Sequence, residues 1–172
     1  MFGPAGLAYV YLVYGMYDCL NVVTGEEGAA GAVLLRAIEP IEGSETMVAA
    51  RKQAAHPRGK GLASIVTREI ASGPGRLCAA YGIDRSVTGL DLCDPANPLR
   101  LEPPMPGDRL PQPIWTPRVG VAYAAEPWAS LAWRLVDRGS PALSGPAVVS
   151  GRPTPDPEPN LEAGSAAPGL LA

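Results

Sequence analysis

Tyr9-Val-Tyr-Leu-Val-Tyr-Gly-Met-Tyr-Asp-Cys-Leu-Asn21 holds four of the chain's six tyrosines within nine residues, grouped around one glycine. Over residues 8–14 the side chains alternate. Tyr9, Tyr11 and Val13 face one way, and Val10, Leu12 and Tyr14 the other, which is the pattern of a strand with both faces committed. Gly15 supplies the freedom for a sharp turn. Residues 17–24 and 32–38 then read as two more strands, joined through Gly25-Glu-Glu-Gly28. An antiparallel sheet is the expected product, with Arg36 on its third strand and Pro40 as the stop.

Downstream of that sheet, Ser44 reads as the N-cap of a helix running to about residue 55. A loop marked by Pro57, Gly59 and Gly61 follows, and then a helical stretch from about Leu62. In Ser72-Gly-Pro-Gly-Arg76, Pro74 is placed to open a helix through Tyr81, with Gly82 as its cap. Short strands return at 99–101, 118–122 and 132–136, and the proline-rich run 103–117 is expected to be a stiff, extended loop. Residues 1–150 read as one mixed α/β (α+β) domain. Residues 151–172, rich in Pro, Gly, Ala and Glu, read as a disordered tail.

A chain of 172 residues with 47% hydrophobic content is long enough for one real core. Its net charge of −3 argues against a generic basic nucleic-acid binder, but the charge is unevenly spread. Arg51, Lys52, Arg58, Lys60, Arg68 and Arg76 face only Glu69 between positions 51 and 76, whereas the first fifty residues are acidic. Such a block is either a solvated helix and loop or a phosphate-facing patch. Cys19, Cys78 and Cys93, with His56 as the single histidine, do not form a zinc or disulfide framework. Reduced thiols in a cytosol suit them. The apolar stretch 7–17 has neither the basic flank of a signal peptide nor the length to span a bilayer.

Tyrosines favour strands, so a rim of a sheet is the plain explanation of this run. The turn speaks for more. Tyr14-Gly-Met-Tyr17 puts large side chains at a hairpin tip, where apolar exposure marks recognition, and a protruding aromatic can wedge into a base stack. Tyr11 could offer an aromatic face to an extruded base, and the amide of Asn21 could test its edge. Arg36 on an inner strand needs an anionic partner, which could be a phosphate, a polarised water or the carboxylate of Glu39. The glycine-rich run into a helix start at Ser72–Arg76 is a place for backbone amides to hold an anion.

Taken together, the segments 9–17, Leu20-Asn21, Val33-Leu-Leu-Arg-Ala-Ile-Glu-Pro40, Glu45-Thr-Met47, Ser72-Gly-Pro74 with Leu77-Cys78, and Arg118-Val-Gly-Val121 resemble the alkyladenine, or 3-methyladenine, DNA glycosylase family of base-excision repair. The resemblance covers about residues 2–145. It implies a curved antiparallel sheet flanked by helices, and an enzyme that flips an alkylated or deaminated purine from double-stranded DNA and hydrolyses its N-glycosidic bond. No metal or other cofactor is implied. By resemblance, Tyr11 is a stacking face, Tyr14 the intercalating wedge, Asn21 the purine discriminator, and Arg36 the arginine that positions the attacking water. Val119 would touch that water through its main-chain carbonyl. Met16, Tyr17, Ser72, Gly73 and Arg76 would contact the DNA.

The family's general-base glutamate belongs to a Glu-Thr-Glu-Ala-Tyr-like strand upstream of the tyrosine hairpin, with a pocket histidine after it. Neither occurs in these 172 residues, and neither Glu26, Glu27, Glu39 nor His56 matches them. The expectation is therefore an N-terminally truncated form that does not by itself sustain normal turnover. A non-catalytic DNA-damage-binding fragment or an inactive gene remnant is the alternative. Damaged duplex DNA is the expected partner, with no membrane association, a monomeric state for the complete protein, and a bacterial-type cytosol or nucleoid as the location.

Overall fold

The computed structural model describes residues 1–54, 65 and 67–143. His56, Arg58, Lys60, the helical stretch expected from Leu62 and the tail 151–172 lie outside them. Five strands and two helices follow in the order β1 Ala8–Val13, β2 Tyr17–Val23, β3 Ala32–Leu34, α1 Ser44–Gln53, α2 Pro74–Tyr81, β4 Pro113–Thr116 and β5 Arg134–Asp137. Short 3-10 turns stand at Thr67–Glu69 and Arg85–Val87. The fold is mixed α/β, as expected. The residues gather into two compact units, one of Met1–Pro113 and the segment from Asp137, the other of Ile114–Val136.

In the first unit β1, β2 and β3 form an antiparallel sheet in that order. The register pairs Tyr9 with Asn21, Tyr11 with Cys19 and Val13 with Tyr17, so these six residues share one face. The opposite face carries Ala8, Val10 and Leu20 into a core completed by Ile70, Ala71, Leu77, Cys78, Ala80, Ile83 and Leu92. Fully burying a side chain such as Leu77 contributes about 1.5–3 kcal/mol. The outer edge of β1 is covered by residues 88–92. Ala8 N–H donates to Leu90 O, Gly89 N–H to Ala8 O, and Val10 N–H to Thr88 Oγ1.

The helix signals at Pro74 and Gly82 act as expected. Pro74 occupies the first turn of α2, where its missing N–H removes no helical bond, and Gly82 ends the helix at φ 65° with its N–H on Cys78 O. Other expectations shift. Ser44 is the first residue of α1 and not its cap; Gly43, at φ 71°, takes the cap position without a side-chain hydrogen bond. β3 stops at Leu34, so Arg36 lies beyond it. There the chain leaves the ladder to meet a different partner, through an Ala37–Ser72 bridge and an Ile38 N–H to Ala71 O bond.

The expected strands at 99–101 and 118–122 are absent from the described residues, because Leu99–Leu101 has only a single main-chain bond to Leu92 and residues 118–122 form turns around Gly120 at φ 82°. A strand instead forms inside the proline-rich run, at β4, paired with β5. Pro113 can start it because a proline is tolerated at the first residue of a strand. Within the second unit, Arg118 Nη2 donates to Trp128 O at 2.8 Å, and its guanidinium lies 5.2 Å from the Trp133 ring, which Trp128 also packs against. No helix among the described residues is long and apolar enough to cross a membrane.

Candidate nucleic-acid interface

The β1–β2 connection is built by two left-handed residues in succession, Tyr14 at φ 52° and Gly15 at φ 67°. Met16 N–H closes the turn on Val13 O at 3.0 Å. This is the mirror-image turn whose twist matches paired strands, and it normally takes Asn-Gly or Asp-Gly. A tyrosine in the first position is strained, since left-handed backbone costs an L-residue with a Cβ roughly 1–2 kcal/mol. The side chain gains no packing in return, because Tyr14 is 83% exposed. Met16 and Tyr17 beside it are half exposed.

Below the tip, the face shared by Tyr9, Tyr11, Cys19 and Asn21 is polar and aromatic. The Tyr9 and Tyr11 rings lie 5.8 Å apart at 33°. Asn21 is buried, at 6% exposure, and its Nδ2 donates to Tyr9 O at 3.0 Å and Cys19 O at 3.1 Å. Both amide hydrogens are thereby committed to the strand, and the side chain's remaining capacity is acceptance at Oδ1. Burial pushes the Cys19 thiol up and the charge of Asp18 adds to that, while Arg36 and a hydrogen bond with the Tyr11 side chain pull the other way. Arg36 is therefore near enough for its charge to be felt at the Cys19 thiol. Its Nε is buried and has no hydrogen-bond partner among the described residues. Glu39 is engaged elsewhere, accepting from Ser140 Oγ at 3.2 Å and facing Arg109.

The Ser72–Arg76 segment stands beside the hairpin. Gly73 at φ 124° caps α2 with its carbonyl, which accepts from Leu77 N–H at 2.8 Å, and Arg76 is exposed. Tyr17 packs directly over Gly75. Arg51, counted by sequence within the basic block, is turned onto main-chain oxygens. Its Nη1 donates to Glu69 O at 2.7 Å and Ile70 O at 3.2 Å, tying α1 to the end of the Thr67–Glu69 3-10 turn and the residue after it. Burial, followed by the nearby charge of Arg76, lowers its pKa. Val119 belongs to the second unit, half-buried next to Gly120.

The methylpurine-DNA glycosylase family matches residues 1–141 of this chain. The chain belongs to that family. Among curated relatives, the human DNA-3-methyladenine glycosylase is 44% identical over 147 residues, covering 84% of this chain and 46% of the human one. A protein of Methanocella arvoryzae with a provisional 3-methyladenine DNA glycosylase name is 45% identical over 144 residues, covering 84% of this chain and 64% of its own length. One from Myxococcus xanthus with the same name is 44% identical, with 61% of its length covered. The chain thus spans less than two thirds of these relatives.

Within a methylpurine-DNA glycosylase fold, the structure puts Tyr11 and Asn21 on one sheet face and Tyr14, Met16 and Tyr17 at the hairpin tip, with Arg36 beyond the end of β3 and Ser72, Gly73 and Arg76 on the segment Tyr17 touches. Sequence reasoning gave Tyr9 no role at the site and did not put Cys19 on this face. Strand alternation already put Tyr9 beside Tyr11, but Cys19 needed the register. Gly75 was seen only as part of a glycine-rich string, because its neighbour Tyr17 is 58 positions away in sequence.

Proposed function

We propose that this chain forms the base-recognising part of a DNA glycosylase that extrudes alkylated or deaminated purines from cytoplasmic or nucleoid double-stranded DNA and, as a monomer, hydrolyses the bond between base and deoxyribose. The observation that carries the reading is Tyr14, held strained and exposed at a closed turn above a face of tyrosines. Strain without packing is retained where a protruding group is used. Tyr14 is the wedge that fills the stack, with Met16 and Tyr17 against the flanking strand. Tyr11 stacks on the extruded base, and Asn21 reads its edge through Oδ1. Ser72, Gly73 and Arg76 take the backbone phosphates.

In the reaction the N-glycosidic bond breaks with its electron pair leaving on the base, the oxygen of water bonds to C1′, and the proton that water loses balances the one the departing base takes up from solvent. Alkylation weakens the base's hold on the sugar, and mispairing lowers the work of extrusion. Arg36, whose buried Nε has no hydrogen-bond partner among the described residues, orients that water. None of the 172 residues is assigned as general base. A non-catalytic damage binder is the second reading, and Glu39 favours it: its carboxylate is occupied by Ser140 and Arg109, and Glu26 and Glu27 stand on an exposed turn.

A single-turnover assay on a duplex carrying one hypoxanthine or ethenoadenine, with binding read in the same samples, tests both. Release lost in Tyr11→Ala and Arg36→Ala supports the glycosylase, binding without release supports the binder, and neither overturns both readings for this chain.

A further inference from the structure

Gly75 stands in the first turn of α2 with an ordinary helical backbone, since it is not among the residues with positive φ. Conformation therefore does not require glycine there, and intrinsic preference favours alanine. What excludes a side chain is Tyr17. A Cβ on Gly75 would lie 3.0 Å from Tyr17 Cβ and 3.1 Å from both its Cγ and Cδ1. Carbon atoms pack best at about 3.5–4.0 Å, so such a contact is repulsive. It falls on the root of the tyrosine side chain and not on its free end, so rotation of the ring cannot relieve it. Either α2 or β2 must shift.

Both sides of this contact are anchored. Tyr17 begins β2, pairs with Val13, and is separated from it only by the tight turn that holds Tyr14 and Met16. The segment ahead of α2 is held by the Ala37–Ser72 bridge and by Arg51 on the carbonyls of Glu69 and Ile70. A displacement at Gly75 has few soft connections to absorb it before the hairpin tip.

We infer that Gly75 is a positioning residue for the aromatic hairpin: its missing side chain seats Tyr17 on α2 and so locks Tyr14 and the Ser72–Arg76 segment into one DNA-facing surface. The inference rests on the function proposed above.

The test uses the full chain and a duplex bearing one ethenoadenine next to a 2-aminopurine, whose fluorescence rises when a wedge unstacks it. Gly75→Ala, Tyr17→Ala and the double variant are compared, with thermal midpoints alongside. Gly75→Ala is expected to lower the midpoint only slightly, because the better helix preference of alanine offsets part of the crowding, and to weaken the lesion-dependent signal about 3- to 10-fold, the size of a sub-ångström misplacement. In the Tyr17→Ala background the same substitution should add less than about a twofold loss, because partners in contact are non-additive. Should Tyr17→Ala not fold, amide NMR of Gly75→Ala alone decides: resonances of residues 13–17 must move.

Equal losses in both backgrounds, a Gly75→Ala protein that signals like wild type, or unmoved hairpin resonances overturn the inference while leaving the proposed function intact. A wild-type chain with no lesion-dependent signal overturns the proposed function, and the inference with it.

Discussion

Asn21 is clamped to the residue directly opposite it, its Nδ2 donating to the main-chain oxygen of Tyr9 at 3.0 Å while also reaching Cys19 O. A residue proposed to read the base is therefore also part of the sheet. Asn21→Ala removes two buried hydrogen bonds and is expected to lower stability by about 1–3 kcal/mol in urea denaturation. Asn21→Asp should cost more, since a carboxylate would face two carbonyl oxygens. An Asp variant as stable as wild type would contradict the geometry.

Tyr14 allows stability and function to be separated. Asn suits the left-handed first position of this turn far better than tyrosine, so Tyr14→Asn should raise stability by about 0.5–1 kcal/mol while abolishing lesion-dependent unstacking. Denaturation and 2-aminopurine fluorescence on the same preparation would check this. A lower midpoint would mean that the tyrosine packs in a way its exposure denies.

Two arginines of the basic block should behave oppositely. Arg51→Met breaks charge-assisted bonds to Glu69 O and Ile70 O and should cost about 2–3 kcal/mol of stability, with the salt dependence of DNA binding unchanged. Arg76→Ala should leave stability within about 0.5 kcal/mol and reduce the salt slope of binding by about one. Affinity titrations at three salt concentrations would separate them.

The thiols should react in two classes. Cys93 is exposed, whereas Cys19 and Cys78 are buried and burial pushes the Cys78 thiol up to about 11. A thiol reagent at pH 8 is expected to label one cysteine rapidly in the native protein and three after denaturation. Because the folded pKa of Cys78 is raised, its contribution is fully present below its ordinary value of 9.0 and is lost as pH rises toward about 11. Alkaline destabilisation should therefore weaken in Cys78→Ala, whose starting stability is lower.

Asp137 governs the acid side. Arg109 bonds its carboxylate, Gln112 N–H and Gly139 N–H donate to Oδ1 at 3.0 Å, and the carboxyl is held down at about 2 against an ordinary 3.8. A depressed folded pKa gives stability that is present above the unfolded value and lost as pH falls through the folded one. Wild type should lose this increment between about pH 4 and pH 2. Asp137→Asn should start less stable and lack that step in a pH series of thermal midpoints.

Legibility in the sequence followed the range of the forces involved. Alternation over residues 8–13, the glycine at 15, Pro74 and Gly82 all act within a few residues, and each appears in the structure as local chemistry required. The third strand was read too long because Leu35, Ala37 and Ile38 are apolar enough to continue it. Leu35 still bonds Leu20 of β2, and only the turn of Ala37 and Ile38 to Ser72 and Ala71 reveals where the ladder ends. Arg51 looked like a free cation because sequence cannot show that two carbonyls some eighteen residues away turn toward it.

By itself, then, the sequence determined the aromatic hairpin and the residue types on the face below it, since periodicity and turn chemistry are properties of short segments. Tertiary structure alone decided that Arg36 has a buried Nε with no partner among the described residues, that Arg51 turns onto the carbonyls of Glu69 and Ile70, and that Gly75 makes room for Tyr17. Those relations depend on which distant segments pack together, and that choice is made by the burial of the whole core, not by any local preference.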